Sequence, residues 1–587
     1  MEELLELRAQ ATSRSRNRTS HAWRNAVPLG ILAVLYGVFF FWPIASIAVR
    51  SFNPDGASSL GGATLSNYQS IVRDPLLRDV IANTVRVSII STLLTFVLAF
   101  PTAYLMSRLR RVTATVLLLL VLLPFWVSIL VRLFVMLELL STDGLVNSVL
   151  DALGIGRQSL LFNTTGTVIG MVNYLLPYMI LIFYSAMSGV DTNLVQAAKS
   201  LGASSWSAFR KVYLPMVRNA VVGGVLVTFI LACGFFLTPD ILGGPKDVTV
   251  STYMAQQVQN YQWGPASALG IALLVVTAVG FAVGGRLSGI TGGTGVALGG
   301  TKGAARAAPM RFGPTKVVLW VMAGLVLIVL LVPLLLVFPL SWGVDRTITW
   351  PPRGFTLDWY RVALTDTQWT SSIIKSITVS MAVAALSLTL AVLAARAIAA
   401  LRRRPTLQSI LVSFLCLPLV APVILLAIGT FDVQARIGAI GSWWGLVMVQ
   451  TVLAMPYTYL VASAALANID PNLEKAAWTM GASRLRGLWR VTLPLLVPAL
   501  IGAALLAFIN SWDEAVVALF QTSFDKTLPV NFYSFVKSGS TPVIAAIGGM
   551  LILFIVVAGA LVLALNSRGR KRGDSAAAPV SSLEESS

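Results

Sequence analysis

Two stretches of the chain, QAAKSLGASSWSAFRKVYLP (196–215) and KAAWTMGASRLRGLWRVTLP (475–494), repeat one pattern at an offset of 279 positions. In each, a pair of Ala residues stands five and four positions before Gly202 or Gly481, and a Leu-Pro pair closes the stretch. The Gly permits a tight turn between two short helices, and the Leu-Pro pair ends the second of them. A repeat at constant spacing predicts a chain of two structurally equivalent halves.

The apolar runs around these stretches predict a membrane protein. Hydrophobic residues make up 56% of the 587 positions, charged residues only 11%, and the mean hydropathy is +0.80, whereas a soluble domain carries about 25% charged residues. A run of about 20 apolar residues crosses the bilayer as a helix, and runs that do not alternate favour helices over a barrel. We predict an all-α membrane protein with 12 transmembrane helices. The spans are 28–49, 83–107, 114–137, 164–187, 217–238 and 266–286, then 317–342, 373–397, 408–431, 443–467, 496–519 and 543–565.

The distribution of basic residues predicts the orientation of these spans. The segments on the side of the two termini and the repeated loops hold 29 Lys and Arg residues, and the opposite loops hold 11. Basic residues collect in cytoplasmic loops, so both termini are placed in the cytoplasm. Each half has an even number of spans, which makes the halves parallel six-span repeats. This topology accounts for most of the net charge of +19, so nucleic acid is not a predicted partner.

Changes in composition divide the chain into five segments. A Gly-, Ala- and Thr-rich stretch between the halves is typical of a flexible cytoplasmic linker, and the small polar residues at the end are typical of disorder. Prolines inside the spans predict kinks at Pro101, Pro124, Pro418 and Pro422. The predicted segments are a cytoplasmic N-terminal segment (1–27), the first half (28–286), the linker (287–315), the second half (316–566) and a cytoplasmic tail (567–587).

Few residues of the chain could carry out chemistry. The single histidine, His21, lies in the polar N-terminal segment, and Cys233 and Cys416 lie in apolar runs, so no metal site or disulfide framework is expected. The stretch 295–302 has Thr before its Lys, where a phosphate loop has Gly, and no strand precedes it. We therefore expect no enzyme activity, no bound cofactor and no ATP hydrolysis by this chain.

The repeated loops resemble the signature loop of importer-type ABC transporter permeases. The first half is similar to one permease subunit and the second half to its partner, fused here in one chain. In that family the loop is a short helical hook that docks into a groove on a cytoplasmic ATPase. The alternative is a pair of ordinary amphipathic connectors lying on the bilayer surface. The resemblance implies ATPase contacts at the matching positions, which are Gln196, Ala197, Ala198, Gly202, Ala203, Lys475, Ala476, Ala477, Gly481 and Ala482.

Within that superfamily the chain most resembles spermidine/putrescine-type permeases. Ferric-iron and phosphonate systems share parts of the same stretches. The family's loop normally has Glu where this chain has Gln196 and Lys475, so the acidic contact to the ATPase is missing or is replaced, for example by Glu474. The stretches that carry the likeness are 140–144, 176–179 and 237–244 in the first half and 511–520 and 527–529 in the second.

The resemblance implies the function and the partners. The chain would form the translocation path of an ATP-driven importer in the cell membrane, with polyamines as the expected substrates. It would need two cytoplasmic ABC ATPase subunits, which hold ATP and Mg²⁺, and an extracytoplasmic solute-binding protein. The alternatives are an importer of another solute, such as ferric iron or a phosphonate, and a 12-span secondary transporter, which couples ions through intramembrane acids or His.

Acidic residues near the outer ends of spans are the candidates for contact with the substrate. Charged groups at such depths are costly unless they are paired or hydrated, so their presence predicts a path for a cation. The alternative is that they are hydrated interfacial residues or partners of Arg132 and Arg436, and Arg132 itself is expected to snorkel or pair. The candidates are Asp513 and Glu514 beside Trp512, Asp240 just past span 5, and Glu138 with Asp432 at the ends of spans 3 and 9.

Overall fold

The computed structural model describes residues 27–54, 56, 62–287, 313–346, 348, 350–401, 404–522, 525–539, 541–554 and 557. Most of the predicted N-terminal segment, most of the linker, the whole tail and the end of the twelfth predicted span lie outside these residues. The proposed boundaries of the five segments therefore stay predictions.

The first half of the described chain folds entirely into helices and turns. Two of the long helices begin at a polar cap: the Asp74 carboxylate accepts a hydrogen bond from the Leu76 N–H (2.9 Å), and the Asn163 side chain caps the helix that follows it. The helices are Val27–Ser51, Ser66–Arg73, Pro75–Ser107, Arg111–Leu122, Leu123–Trp126, Ile129–Leu140, Leu145–Ala152, Thr164–Ser188, Thr192–Ser200, Ser205–Ala208, Phe209–Tyr213, Leu214–Cys233, Leu237–Leu242, Val250–Gln259 and Trp263–Leu287.

The second half repeats the first element by element. The equivalent helices Pro75–Ser107 and Thr367–Ala399 both have 33 residues. Only Leu145–Ala152 has no counterpart, and it lies where the offset between the halves changes from 294 to 279. The helices are Pro314–Trp342, Asp358–Thr365, Thr367–Ala399, Pro405–Cys416, Leu417–Leu419, Val423–Arg436, Trp443–Ala467, Pro471–Thr479, Arg484–Gly487, Leu488–Thr492, Leu493–Trp512, Val516–Gln521, Leu528–Ser538 and Pro542–Phe554.

The number of membrane-crossing helices agrees with the predicted architecture. Within the described residues, nine helices are long and apolar enough to cross a membrane, or up to 11 if each of two bent pairs forms one span. A shorter apolar helix, Pro542–Phe554, lies where the twelfth span is predicted. The all-helical fold with two repeated halves is confirmed, and the structure is consistent with twelve spans.

Spans 3 and 9 are broken, where the sequence predicts single runs at 114–137 and 408–431. The first pair of helices bends by 94° and the second by 91°. The breaks fall at short 3₁₀ turns that contain Pro124 and Pro418, because proline removes a backbone donor and clashes with the preceding turn. The predicted kinks at these two positions are therefore breaks, whereas the helix around Pro101 is continuous.

Spans 5 and 11 also end earlier than the predicted runs at 217–238 and 496–519. Their helices stop at Cys233 and Trp512, and a short helix follows each stop. The residues on the two sides of each helix end are equally apolar, so a hydropathy profile does not predict the break. Asp513 and Glu514, expected within span 11, lie in the second of these breaks.

The first helix of each half packs against the other half. The Tyr36 hydroxyl donates a hydrogen bond to the Leu415 carbonyl (2.9 Å), and the end of helix Val27–Ser51 lies along Val423–Arg436. In the opposite sense, the Asn173 amide donates to the Val329 carbonyl (2.7 Å) of helix Pro314–Trp342. The two halves are thus held together by exchanged helices as well as by their shared core.

A buried ion cluster joins the halves at one end of the exchanged first helix. Asp432, whose side chain is 5% exposed, accepts hydrogen bonds from Arg50 (2.5 Å), Arg436 (3.0 Å) and the hydroxyl of Ser46. Arg50 also lies over the ring of Trp263, 4.7 Å from its centroid. Removal of one member of such a cluster leaves the others buried without a counter-charge.

We predict that Asp432→Asn destabilises the chain by about 3 kcal/mol, mainly because Arg50, whose side chain is 15% exposed, loses its counter-charge. Unfolding in detergent, followed by tryptophan fluorescence, measures the change. Asp143→Asn is the matched control: Asp143 pairs with Arg157 at 2.6 Å, but both side chains are more than half exposed. This control should leave the unfolding midpoint unchanged, and equal effects of the two substitutions would contradict the prediction.

Candidate functional site

Each repeated loop forms a helical hook after the fourth span of its half. The first hook (192–213) begins with helix Thr192–Ser200, turns at Gly202 with φ of +90°, and continues without a break into the helix of span 5. The expectation that Leu214-Pro215 ends the second short helix is therefore wrong, because a proline in the first turn of span 5 lacks only an N–H that the helix can spare. The second hook (471–492) begins with helix Pro471–Thr479 and turns at Gly481 with φ of +87°. The two hooks thus share one backbone geometry, with helices and turn at equivalent positions.

The turn in both hooks closes the preceding helix in the same way. The N–H of Ala203 donates to the carbonyl of Ala198 at 3.0 Å, and the N–H of Ala482 donates to the carbonyl of Ala477, also at 3.0 Å. Both bonds span the left-handed glycine, which is the arrangement of a Schellman motif. The small side chains of the Ala pairs let the backbone before the turn and the backbone after it approach closely.

The hooks present large apolar side chains to their surroundings. Leu201 is 89% exposed and the equivalent Met480 is 86% exposed. Trp206 (68%) and Trp489 (63%) are also exposed in the helices that follow. Trp206 and Trp489 do not occupy equivalent positions, but exposed apolar side chains at the matched positions Leu201 and Met480 indicate contact surfaces. Of the predicted docking residues, Gln196, Ala197, Gly202, Lys475, Ala476 and Gly481 are exposed, and Ala198, Ala203, Ala477 and Ala482 are half-buried.

Glu474 does not point toward the surface of the second hook. Its carboxylate accepts hydrogen bonds from Arg396 (2.9 Å) at the end of span 8 and from the Thr492 hydroxyl (2.5 Å) at the start of span 11. The side chain is 20% exposed. The suggestion that Glu474 replaces the missing acidic contact of the loop is therefore disfavoured by its partners.

Asp240, one of the candidate substrate contacts, is held by residues of the other half. It accepts hydrogen bonds from the Tyr533 hydroxyl (2.7 Å) and the Lys537 ammonium (3.0 Å), both on helix Leu528–Ser538. Burial and the Asp240 carboxylate raise the pKa of Tyr533 well above its ordinary value, so this hydroxyl keeps the proton that it donates. Asp240 thus joins the halves through a neutralised pair.

The other acids near the ends of broken spans differ in their surroundings. Asp432 is occupied by Arg50 and Arg436, as predicted in the alternative for Arg436. Its equivalent, Glu138, is half-buried in helix Ile129–Leu140. Neither residue lies at the break of span 11, so the structure separates these two candidates from Asp513 and Glu514.

Asp513 occupies the break of span 11 and reaches into the other half. Its Oδ1 accepts a hydrogen bond from the N–H of Ile129 (2.9 Å), the first residue of the helix that follows the break of span 3. An acidic side chain at a helix N-terminus satisfies a free donor and is favoured by the helix dipole. Asp513 therefore connects the break of one half to the break of the other.

Glu514 is bound within its own half. Its two oxygens accept hydrogen bonds from the N–H groups of Val517 (2.7 Å) and Ala518 (3.1 Å), which begin the next short helix, and from the Gln450 amide (3.3 Å). Trp512 stacks on Phe508, with ring centroids 5.9 Å apart. The predicted group 512–514 thus divides into a packed indole, a helix-capping glutamate and an aspartate between the halves.

Tyrosines and one arginine surround Asp513 at the contact between the halves. Arg132 is 3% exposed, lies over the ring of Tyr174 (5.9 Å) and faces the charge of Asp513. The Tyr174 hydroxyl contacts the Tyr178 hydroxyl at 3.1 Å, and Tyr457 lies close to Tyr178. Of the two expectations for Arg132, snorkelling or pairing, its burial disfavours the first, and its guanidinium donates a hydrogen bond to the side-chain oxygen of Asn173 (3.5 Å).

Sequence reasoning missed this aromatic cluster as a site. Tyr178 and Tyr457 follow Pro177 and Pro456 at the same offset of 279, which was a usable signal. Phe125, from the break of span 3, meets Tyr178 edge-on at 4.6 Å. A carboxylate beside Tyr174, whose ring is tilted against that of Tyr178 (centroids 5.3 Å apart), can bind a cation through charge and aromatic faces.

Both halves match one protein family. Residues 91–288 and 387–571 each match the family described as binding-protein-dependent transport system inner membrane component. The two matched segments lie one in each repeated half and each contains one hook.

Individual relatives differ in the solute that their names give. The spermidine/putrescine transport system permease protein PotB of Haemophilus influenzae is 32% identical over 235 residues, 39% of this chain and 82% of that protein. The sulfoquinovosyl glycerol transport system permease protein SmoH of Agrobacterium fabrum is 33% identical over 189 residues, 32% of this chain and 65% of that protein. The crystal structure of a bacterial ABC transporter involved in the import of alginate has a TM-score of 0.42 at 18% identity and covers 47% of this chain and 99% of that chain.

We predict that Asp513→Ala loosens the helix that begins at Ile129. Loss of the acceptor should speed amide exchange in the first turn of this helix by about tenfold, since a hydrogen bond to a charged group contributes about 1.5 kcal/mol or more. Hydrogen–deuterium exchange with mass spectrometry of the purified chain measures the effect. Asp513→Asn is the control, because its amide oxygen keeps the acceptor, and equal exchange in both variants would contradict the assigned bond.

Proposed function

Because the chain belongs to the binding-protein-dependent transport system inner membrane component family, we propose that its halves together form the path of an ATP-driven importer and dock two ATPase subunits through the hooks. The chain is a multi-pass membrane permease of the ABC importer type. The observation that carries the docking proposal is the pair of hooks, which share one turn geometry and each present a nearly fully exposed apolar residue, Leu201 or Met480.

The remaining components follow from the same proposal. The hooks lie on the side of the membrane that is rich in basic residues, so this side and both termini are assigned to the cytoplasm. Two cytoplasmic ATPase subunits would bind ATP and Mg²⁺ and supply hydrolysis. A solute-binding protein would deliver the substrate on the opposite side, as the description of the family indicates.

Polyamines are the proposed substrate. Supporting this, the PotB relative is named for spermidine and putrescine, and Asp513 lies between the halves among tyrosines. Taking an ammonium group out of water is costly unless carboxylates or aromatic faces replace its hydration. Asp513 is better placed than Glu514 for this role, since both oxygens of Glu514 already accept backbone hydrogen bonds.

A secondary transporter remains the second candidate function. Its specific support is the set of intramembrane acids. Against it, Asp240 and Asp432 are paired with Lys537, Arg50 and Arg436, whereas a coupling acid has to exchange its proton or ion. Uptake that depends on a proton gradient and needs no ATPase would favour this candidate.

We predict that Gly202→Val and Gly481→Val each abolish substrate-stimulated ATP hydrolysis while the chain still inserts into the membrane. A Cβ at either position has open space within 4 Å, so the damage comes from the left-handed backbone, which costs a β-branched residue about 1–2 kcal/mol. The measurement is ATP hydrolysis by the chain reconstituted with its ATPase and binding protein.

The matched control for this experiment is Asn at the same two positions. Asn adopts the left-handed conformation more readily than other side chains, so Gly202→Asn and Gly481→Asn should retain most of the stimulation. Normal stimulation in both Val variants would reject the docking role of the hooks.

We predict that Asp513→Asn strongly reduces uptake of radiolabelled spermidine or putrescine, because it removes the carboxylate charge and keeps the hydrogen bond to Ile129. Glu514→Gln should have a smaller effect, since Glu514 mainly caps its own helix. Copurification of the ATPase, which depends on the hooks, should be unchanged in both variants.

The comparison of solutes decides the chemical class of the substrate. Reconstituted complex is offered spermidine, ferric iron and a phosphonate in parallel with sulfoquinovosyl glycerol. Preferred uptake of an anion, or full spermidine uptake by Asp513→Asn, would overturn the polyamine proposal and leave the permease assignment intact.

A further inference from the structure

The second hook is attached to the membrane domain by a polar triad. Glu474 on helix Pro471–Thr479 binds Arg396 at 2.9 Å and Thr492 at 2.5 Å. Arg396 lies in the last turn of span 8, and Thr492 precedes the Leu493 that opens the main helix of span 11. One carboxylate thus joins the hook, the end of one span and the start of another.

The same three positions in the first half hold no ion pair. Counting from the equivalent caps Asp74 and Asp366, Arg396 corresponds to Tyr104, and the offset of 279 makes Glu474 and Thr492 correspond to Val195 and Tyr213.

These first-half residues form an apolar attachment. The rings of Tyr104 and Tyr213 meet edge-on with centroids 5.2 Å apart, and Val195 is buried in the same cluster. Arg108 lies over both rings, at 5.3 and 5.1 Å. The position of Arg108 is taken by Ala400 in the second half, so four positions differ in chemistry between two hooks of equal backbone geometry.

We propose that Glu474, with Arg396 and Thr492, is the positioning group that transmits force between the second hook and spans 8 and 11, and that the two hooks therefore couple through attachments of different chemistry. The second attachment is ionic and, at 29% and 20% exposure, partly screened by salt, whereas the first is held mainly by ring and apolar contacts, with Arg108 over the rings, and depends less on salt. This inference rests on the proposed docking of an ATPase at each hook, and Glu474 acts through the hook and not as a contact to the ATPase.

The geometry of the Glu474–Arg396 pair is suited to holding the second hook in a fixed position. Both partners are largely shielded, with side chains 29% and 20% exposed, and the carboxylate is bound from two different elements. A half-buried charged hydrogen bond is stronger than an exposed one. The hook helix has only 9 residues, and a helix of this length depends on contacts with its surroundings for its position.

The test uses the full chain in complex with its ATPase and binding protein, with spermidine as the probe. Glu474→Val, which installs the first-half residue alone, should leave Arg396 unpaired and lower stimulated ATP hydrolysis by about tenfold, as expected for loss of a charged hydrogen bond. The wild-type complex should lose stimulation as salt rises, and Glu474→Val should show no further salt dependence.

Rescue separates a positioning role from general damage. The four-residue graft Arg396→Tyr, Ala400→Arg, Glu474→Val and Thr492→Tyr transplants the first-half attachment and should restore stimulation that depends less on salt than in the wild type. The charge reversal Arg396→Glu with Glu474→Arg should restore part of the stimulation and keep its salt dependence. Arg157→Gln, which removes an exposed ion pair with Asp143 away from the hooks, is the control and should behave as wild type.

The possible results distinguish the role of Glu474 from the proposed docking of ATPase subunits. Normal stimulation in Glu474→Val, or failure of both the graft and the charge reversal to restore it, overturns the role of Glu474. A wild-type chain that neither retains an ATPase on copurification nor stimulates ATP hydrolysis defeats the proposed function itself. Recovery by either rescue, with a defect in Glu474→Val, supports the inference.

Discussion

Broken helices inside a membrane leave backbone N–H groups that lipid cannot satisfy. In this chain, one such N–H group is satisfied by a side chain from the other half. Asp513, in the break of span 11, binds the N–H of Ile129 beyond the break of span 3. At the equivalent place of the other half, Gly234 packs against Pro422, with its Cβ position 3.4 Å from the proline. Gly234 has no side chain to act as a cap, and helix Val423–Arg436, the counterpart of the helix that begins at Ile129, has no side-chain cap, so a carboxylate bridges only one of the two breaks.

That difference makes the two halves chemically unequal where they meet. The backbone of the two repeats agrees down to the hook turns, because glycine, proline and capping positions recur at fixed offsets. The side chains at the centre do not agree: Asp513 and Glu514 stand where the first half has Gly234 and Phe235. The carboxylate of Asp513, which faces Arg132 and Tyr174, therefore has no counterpart at the break of span 5.

The sequence predicted most of the architecture and only part of the site. Hydropathy found the spans, since a helix in lipid needs a long apolar run, and the repeat found both hooks because their turns need glycine. Hydropathy could not find the breaks at Pro124 and Cys233, since both sides of a break are equally apolar. The sequence did not predict Lys537 as the partner of Asp240 or Arg50 as a partner of Asp432. Both basic residues are distant in sequence and meet these carboxylates only where elements of one half pack on the other.

The exchanged first helices link the two halves of the single chain by packing as well as by the covalent connection. Helix Val27–Ser51 belongs by sequence to the first half but packs on Val423–Arg436, and Pro314–Trp342 packs on the first half in return. Each hook follows span 4 or span 10 and leads directly into a span that ends at a break beside the other half. Movement of a hook therefore reaches the contact between halves along one continuous helix, about 30 Å for 20 residues. Because Asp513 immediately follows that helix in the second half, a change at the second hook and a change at Asp513 act on the two ends of one helix.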